Sequence, residues 1–186
     1  MTKTALILID IQNDYFKGGL MALDGMDAAA ANAKRLLAGA RARREPVFHI
    51  RHIAGSADAP FFRPGTLGSE INETVRPNSG ETVFEKRRPN AFVGTGLEAA
   101  LRAAQIKRIM LCGAMSQMCV DATARAATDM GFAVTVVGDA CAAASVSHGG
   151  VSVPSGHVHA AIMAPLAASY GKVVTTDDME NNRRAT

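Results

Sequence analysis

Short apolar runs alternate with stretches of helical spacing along most of this chain. TALILIDI (4–11), PVFHIRHI (46–53), ETVFEK (81–86), KRIMLCGA (107–114), FAVTVVGD (132–139) and GKVVTT (171–176) are rich in Val, Ile and Leu, as parallel strands buried on both faces are. Between most of them, Met26 to Arg44, Thr95 to Ala104, Ser116 to Met130 and Gly156 to Tyr170 repeat apolar residues at helical intervals. Strand and helix in turn predict an α/β fold built on one parallel sheet. Residues 55–80 break the rhythm, with several prolines and glycines and little periodicity. They read as a long substrate-side loop within the domain, because neither flank has enough strands for a core of its own. The polar tail DDMENNRRAT is expected to fray.

Composition narrows the class. A length of 186 residues, 48% apolar, with mean hydropathy +0.07, suits one domain spanning 1–186 with a sizeable core. The net charge of +3 is scattered, and its densest groups, RARR (41–44) and KRR (86–88), lack interleaved aromatics, so nucleic acid is not an expected partner. The first apolar run is interrupted by Asp10 and is too short for a signal peptide, and no segment reaches the roughly 18 apolar residues of a membrane span; no membrane partner is expected and a cytoplasmic location is. Cys112, Cys119 and Cys141 are odd in number and lack C-x-x-C spacing, which predicts free thiols rather than disulfides or a cysteine zinc cage.

In open parallel sheets ligands bind beyond the carboxyl ends of the strands, where strand order reverses. Asp10 ends the first run, Lys86 the third, and Cys119 opens the helix after the fourth. An order 3-2-1-4-5-6 makes the first and fourth strands neighbours and gathers these three residues in one crevice. With Ser116 as N-cap, Cys119 would face unpaired N–H groups and the positive end of the helix, which favour thiolate. Asp10 could accept the thiol proton and return it to a leaving amine, with Lys86 holding the charges in place. Each residue also has a plainer reading: a small hydrophobe, a turn cap, a solvated lysine. Cys112 and Cys141 take the plain one. Gln12 and Asp14 either support the site or cap the loop after the first strand. Phe16, Phe61, Phe62 and Phe92 either wall the mouth or pack in the core.

LILIDIQNDYF, FEKRRPNAFVGTGL and LCGAMSQMCVDATARAATDMGFAVTVVGDACA, in this order, resemble the three signature blocks of the isochorismatase-like cysteine hydrolases, which include nicotinamidases and N-carbamoylsarcosine amidases. The resemblance implies a three-layer αβα fold with a six-stranded parallel sheet and an Asp–Lys–Cys triad at Asp10, Lys86 and Cys119. It also implies a cis peptide between Ala114 and Met115, with the backbone N–H groups of Met115 and Cys119 as an oxyanion hole. The reaction implied is acyl transfer through a thioester.

The cysteine favours an amide, imide or carbamoyl substrate; isochorismatase-type vinyl-ether cleavage, or a non-enzymatic role for a reactive thiol, are the alternatives. Nicotinamidases, as the resemblance has it, bind a metal through an aspartate and two histidines after the second strand. Here His49 and His52 are three apart on a strand, so they point to opposite faces and cannot share an ion. No metal and no other cofactor is expected. Alanine-rich helices and the paired phenylalanines of the loop, together with the habit of relatives, lead to an expected homodimer or homotetramer.

Overall fold

The computed structural model describes residues 3–184. Six parallel strands form the sheet: β1 (Thr4–Ile9), β2 (Val47–His52), β3 (Thr82–Lys86), β4 (Arg108–Ala114), β5 (Ala133–Ala142) and β8 (Lys172–Val174), in the order β3-β2-β1-β4-β5-β8. The order is the expected one. The last strand is eighth in the chain because a small antiparallel hairpin, β6 (Val146–His148) with β7 (Val151–Val153), intervenes.

Helices cover both faces. Helix α1 (Met26–Ala42) buries Met26, Ala29, Ala30, Ala33, Leu36, Leu37 and Ala40, a stripe at intervals of three and four, against the core that contains Leu6, Leu8, Met110 and Cys112. Helices α2 (Leu97–Ala103), α3 (Asp121–Asp129) and α4 (Ser155–Pro165) pack on the other core, with Ile7, Ile9, Ile109 and Leu111. Neighbouring residues of β1 and β4 thus feed opposite layers, as the period of two requires. The central strands β1 and β4 are buried in all but their first residues. β3 is not: as an edge strand it leaves Thr82, Val83 and Glu85 exposed, which corrects the expectation that every apolar run is covered on both faces.

The tail also differs from expectation. Thr176–Arg184 is a helix, α5, and residues 185 and 186 of the tail lie outside the described residues. Thr175 and Asp178 form a reciprocal cap: the Asp178 carboxylate accepts from the Thr175 N–H at 3.0 Å, and the Thr175 hydroxyl oxygen accepts from the Asp178 N–H at 3.1 Å. Arg35 of α1 then ties the helix down through Asp177 and Glu180.

Residues 55–80 contain two 3-10 turns, Leu67–Ser69 and Glu73–Val75. Three consecutive residues after β1 hold this loop to the sheet. Gln12 forms an isolated bridge with Ile71, Asn13 Nδ2 donates to the Leu67 carbonyl at 2.8 Å, and Asp14 accepts from the Phe62 N–H at 2.6 Å.

Candidate active site

Four adjacent strands bring their carboxyl ends together at the reversal of strand order. Asp10 follows β1, His52 ends β2, Lys86 ends β3, and Cys119 lies in the π turn Ser116–Val120 after β4. Asp10 has φ +50, a left-handed conformation that Asp tolerates better than most side chains. It turns the chain out of the strand while the Asp10 N–H still bonds the Ile50 carbonyl at 3.0 Å.

Lys86 Nζ lies 2.7 Å from Asp10 Oδ2, 3.2 Å from Cys119 Sγ and 3.0 Å from His52 Nδ1. Asp10 is 0% exposed, Lys86 1% and Cys119 5%, so these charges interact with little help from water. Burial pushes the Asp10 carboxyl up, against the pull of Lys86. Burial works against the Lys86 ammonium, but the Asp10 charge and the hydrogen bonds to Asp10 and Cys119 outweigh it and its pKa is raised.

The Cys119 thiol is likewise raised, by burial first and then by the Asp10 charge, with Lys86 opposing. Burial and the Asp10 charge thus work against the thiolate that a helix start alone would favour. Two local features explain the difference. The α-helix proper begins only at Asp121, past the sulfur. Ser116 does not cap it; its hydroxyl donates to the Ala142 carbonyl at 3.1 Å and meets His159 Nδ1 at 2.9 Å.

One ammonium, one carboxylate and one thiol sum to zero charge. Moving the thiol proton onto Asp10 leaves that sum unchanged, so the shift puts no extra charge into the buried site. The raised Asp10 pKa makes it a better proton acceptor than an ordinary carboxylate.

The remaining sequence candidates divide. Met115 is buried and the Ala114–Met115 peptide is cis. Gln12 is fully buried: its Nε2 donates to the carbonyls of His52 (2.9 Å) and Ser69 (2.8 Å), and its Oε1 accepts from the His52 N–H at 2.8 Å. Asp14 holds the N–H groups of Phe62 and Leu20. Phe62 is buried, with its ring 5.9 Å from that of His52 and 5.0 Å from that of Phe61. Phe16 packs at the edge of the same core. Phe92 belongs to the opposite core and stacks on Phe132, ring centres 6.3 Å apart.

His52 is the residue whose part sequence reasoning missed. The available signal was that His52 and Lys86 close adjacent parallel strands, where they pair in register. His49 faces the α1 side, bonded through Nε2 to Glu81 at 2.9 Å, and Glu81 in turn binds Arg41 of α1.

Ligand-type atoms of Asp10, His52 and Cys119 lie within 4.8 Å of one another. Lys86 Nζ is within 3.2 Å of each of these residues. An ion binding all three would have to displace the ammonium. A cleft of about 720 Å³ lined by Arg51, Glu70 and Glu85 lies along the outer edge of β3, apart from this cluster.

Fold and site together define the class: a doubly wound α/β protein with a buried Asp10, Lys86 and Cys119 cluster at the switch point of the sheet. The chain belongs to the isochorismatase family, whose profile, described as "Isochorismatase domain", matches residues 4–178. It is 47% identical over 174 residues to the isochorismatase family protein YddQ of Bacillus subtilis, covering 94% of this chain and 97% of that protein. A solved isochorismatase-hydrolase relative from Oleispira antarctica superposes with a TM-score of 0.93 at 42% identity over 96% of each chain. The N-carbamoylsarcosine amidase of Thermoplasma acidophilum superposes with a TM-score of 0.81 at 25% identity, covering 95% of this chain and 98% of that one.

Proposed function

We propose that the protein is a cysteine hydrolase that cleaves a C–N bond of a small amide, imide or carbamoyl compound through a thioester on Cys119. The observation that carries this reading is the Lys86 ammonium, 2.7 Å from Asp10 and 3.2 Å from the Cys119 sulfur. It joins a proton acceptor to a nucleophile in a site that excludes bulk water.

As Sγ bonds the substrate carbonyl carbon, its proton passes to Asp10. Lys86 stays charged and offsets the negative charge as it moves from carboxylate to sulfur to oxyanion. The backbone N–H groups of Met115 and Cys119 receive the oxyanion, a contribution of roughly 3 kcal/mol per donor. The C–N bond breaks as Asp10 returns the proton to nitrogen, releasing ammonia or an amine. Water then attacks the thioester, giving its proton to Asp10, and the thiol is restored with release of the acid. The ammonium supplies the positive charge, so the reaction uses no metal. The similarity to an N-carbamoylsarcosine amidase supports a carbamoyl or amide substrate over a vinyl ether.

The test is an ammonia-release screen over small amides, ureides and imides with Cys119→Ala as control. Turnover that survives Cys119→Ala would defeat the reading.

The working form is a homo-oligomer of two or four copies in the cytoplasm. Leu67, Val83 and Val151 are large apolar side chains exposed by 82%, 40% and 64%, surface that association would cover. Light scattering at micromolar concentration measures it, and a monomer would contradict it. No helix among the described residues is long and apolar enough to cross a membrane.

A further inference from the structure

The mechanism above gives the Lys86 ammonium two neighbours, yet an ammonium has three N–H donors. The third is accounted for by the one neighbour the mechanism leaves idle. We propose that His52 is a positioning residue: its unprotonated Nδ1 accepts the third N–H of Lys86 and so fixes the ammonium between the Asp10 carboxylate and the Cys119 thiol. This rests on the reading of Cys119 as the nucleophile.

Three acceptors surround Nζ at 2.7, 3.0 and 3.2 Å. Lys86 is 1% exposed, so a donor released from His52 would have no ready substitute in bulk water. The contact also sets the ring's tautomer. An ammonium only donates, so Nδ1 must accept and Nε2 carries the ring hydrogen. A second proton on the ring would bring two cations within 3.0 Å, and burial together with the charges of Lys86 and Arg87 holds the His52 pKa down at about 4. Asp10 and Cys119 are the other titratable groups of the cluster.

His52 is itself held from several directions. It pairs in register with Lys86 across β2 and β3. The Gln12 amide fixes its backbone at both the N–H and the carbonyl. The Phe62 ring lies 5.9 Å from the imidazole, with Phe62 itself in a left-handed conformation at φ +55 and anchored by Asp14. A bulky residue in that conformation is uncommon and is kept there by its surroundings. The chain Asp14, Phe62, His52, Lys86 thus links the loop at 55–80 to the ammonium. An idle histidine would need none of this support.

The experiment compares His52→Leu, which has no acceptor, with His52→Asn, whose Oδ1 can take the place of Nδ1, on the amide that the screen identifies. Misplacing a catalytic group by about 1 Å costs up to about a hundredfold. His52→Leu should lower kcat at least about tenfold with KM within about twofold of wild type, and His52→Asn should recover most of the loss. A wild-type kcat in His52→Leu, a change confined to KM, or an Asn variant no better than Leu would overturn the proposal. Circular dichroism checks folding, and His52→Ala replaces His52→Leu if the latter is unfolded.

A second readout needs no substrate. The rate at which iodoacetamide labels Cys119 should rise at higher pH in His52→Leu than in wild type, because a displaced ammonium stabilises thiolate less; an unshifted profile counts against the proposal. Turnover surviving in Cys119→Ala would instead sink the cysteine-hydrolase reading, and the labelling profile would still decide the geometry at His52.

Discussion

Gly113 of β4 passes so close to Ile9 of β1 that a Cβ at Gly113 would lie 1.9 Å from the Ile9 carbonyl oxygen. Its φ of +124 also excludes ordinary L side chains. The approach occurs one residue before Asp10 and two before Met115, where the β4–β5 register shifts between Leu111 and Gly113. The backbone contact therefore sets the distance between the strand that leads to Asp10 and the turn that carries Cys119. Gly113→Ala is expected to destabilise the protein by about 3 kcal/mol, seen as a lower urea midpoint, and to reduce turnover in whatever folds. An unchanged midpoint would show that the strands can part without cost.

Lys86→Met strands a buried carboxylate. Removing one partner of a buried ion pair costs about 3–5 kcal/mol because the other charge is left uncompensated. Asp10 already has a raised pKa, and without Lys86 it rises further, so the variant takes up a proton on folding. Its stability deficit should accordingly be largest at neutral pH and shrink as pH falls and the unfolded carboxyl also becomes neutral. Adding Asp10→Asn should restore part of the stability but none of the turnover. Urea denaturation at two pH values measures this, and a deficit independent of pH would contradict the assignment of the buried charge.

Labelling of Cys119 has a pH dependence of defined sign. Its thiol pKa is raised above the usual cysteine range by burial and Asp10, so iodoacetamide should react slowly at pH 7 and faster as pH rises through the alkaline range. Cys112 is 0% and Cys141 8% exposed, both with raised pKa values, and both should stay unlabelled in the native protein across the same range. Mass spectrometry of the three peptides gives the answer. Fast labelling of Cys119 at neutral pH would mean that Lys86 outweighs burial and that the thiolate is the resting form.

Much of this architecture was legible because it depends on local pattern. The apolar runs located all six strands of the main sheet, and the strand ends located Asp10 and Lys86. What the sequence left open depends on tertiary placement. Exposure of β3 follows from its lying at the sheet edge, which the composition of ETVFEK does not encode. The upward push on the Cys119 thiol comes first from the burial of the cluster, which no helix-end pattern encodes. Two misses had readable signals: Gly149–Gly150, with φ +58 and +80, is the turn of the β6–β7 hairpin and sits between alternating Val and Ser, and Thr175 with Asp178 is a capping pair at the right spacing. The contact of His52 with Lys86 needed strand register, which single-strand patterns do not fix.

The central claim is that Cys119 forms a covalent bond with the substrate. The direct measurement is mass spectrometry of enzyme quenched in acid during turnover of the amide found by the ammonia screen, followed by digestion. The account predicts an adduct on the Cys119 peptide with the mass of the substrate less its amine, released by added hydroxylamine and missing in Cys119→Ala. Turnover at an undiminished rate in Cys119→Ala, with no adduct on the wild-type enzyme, would contradict it.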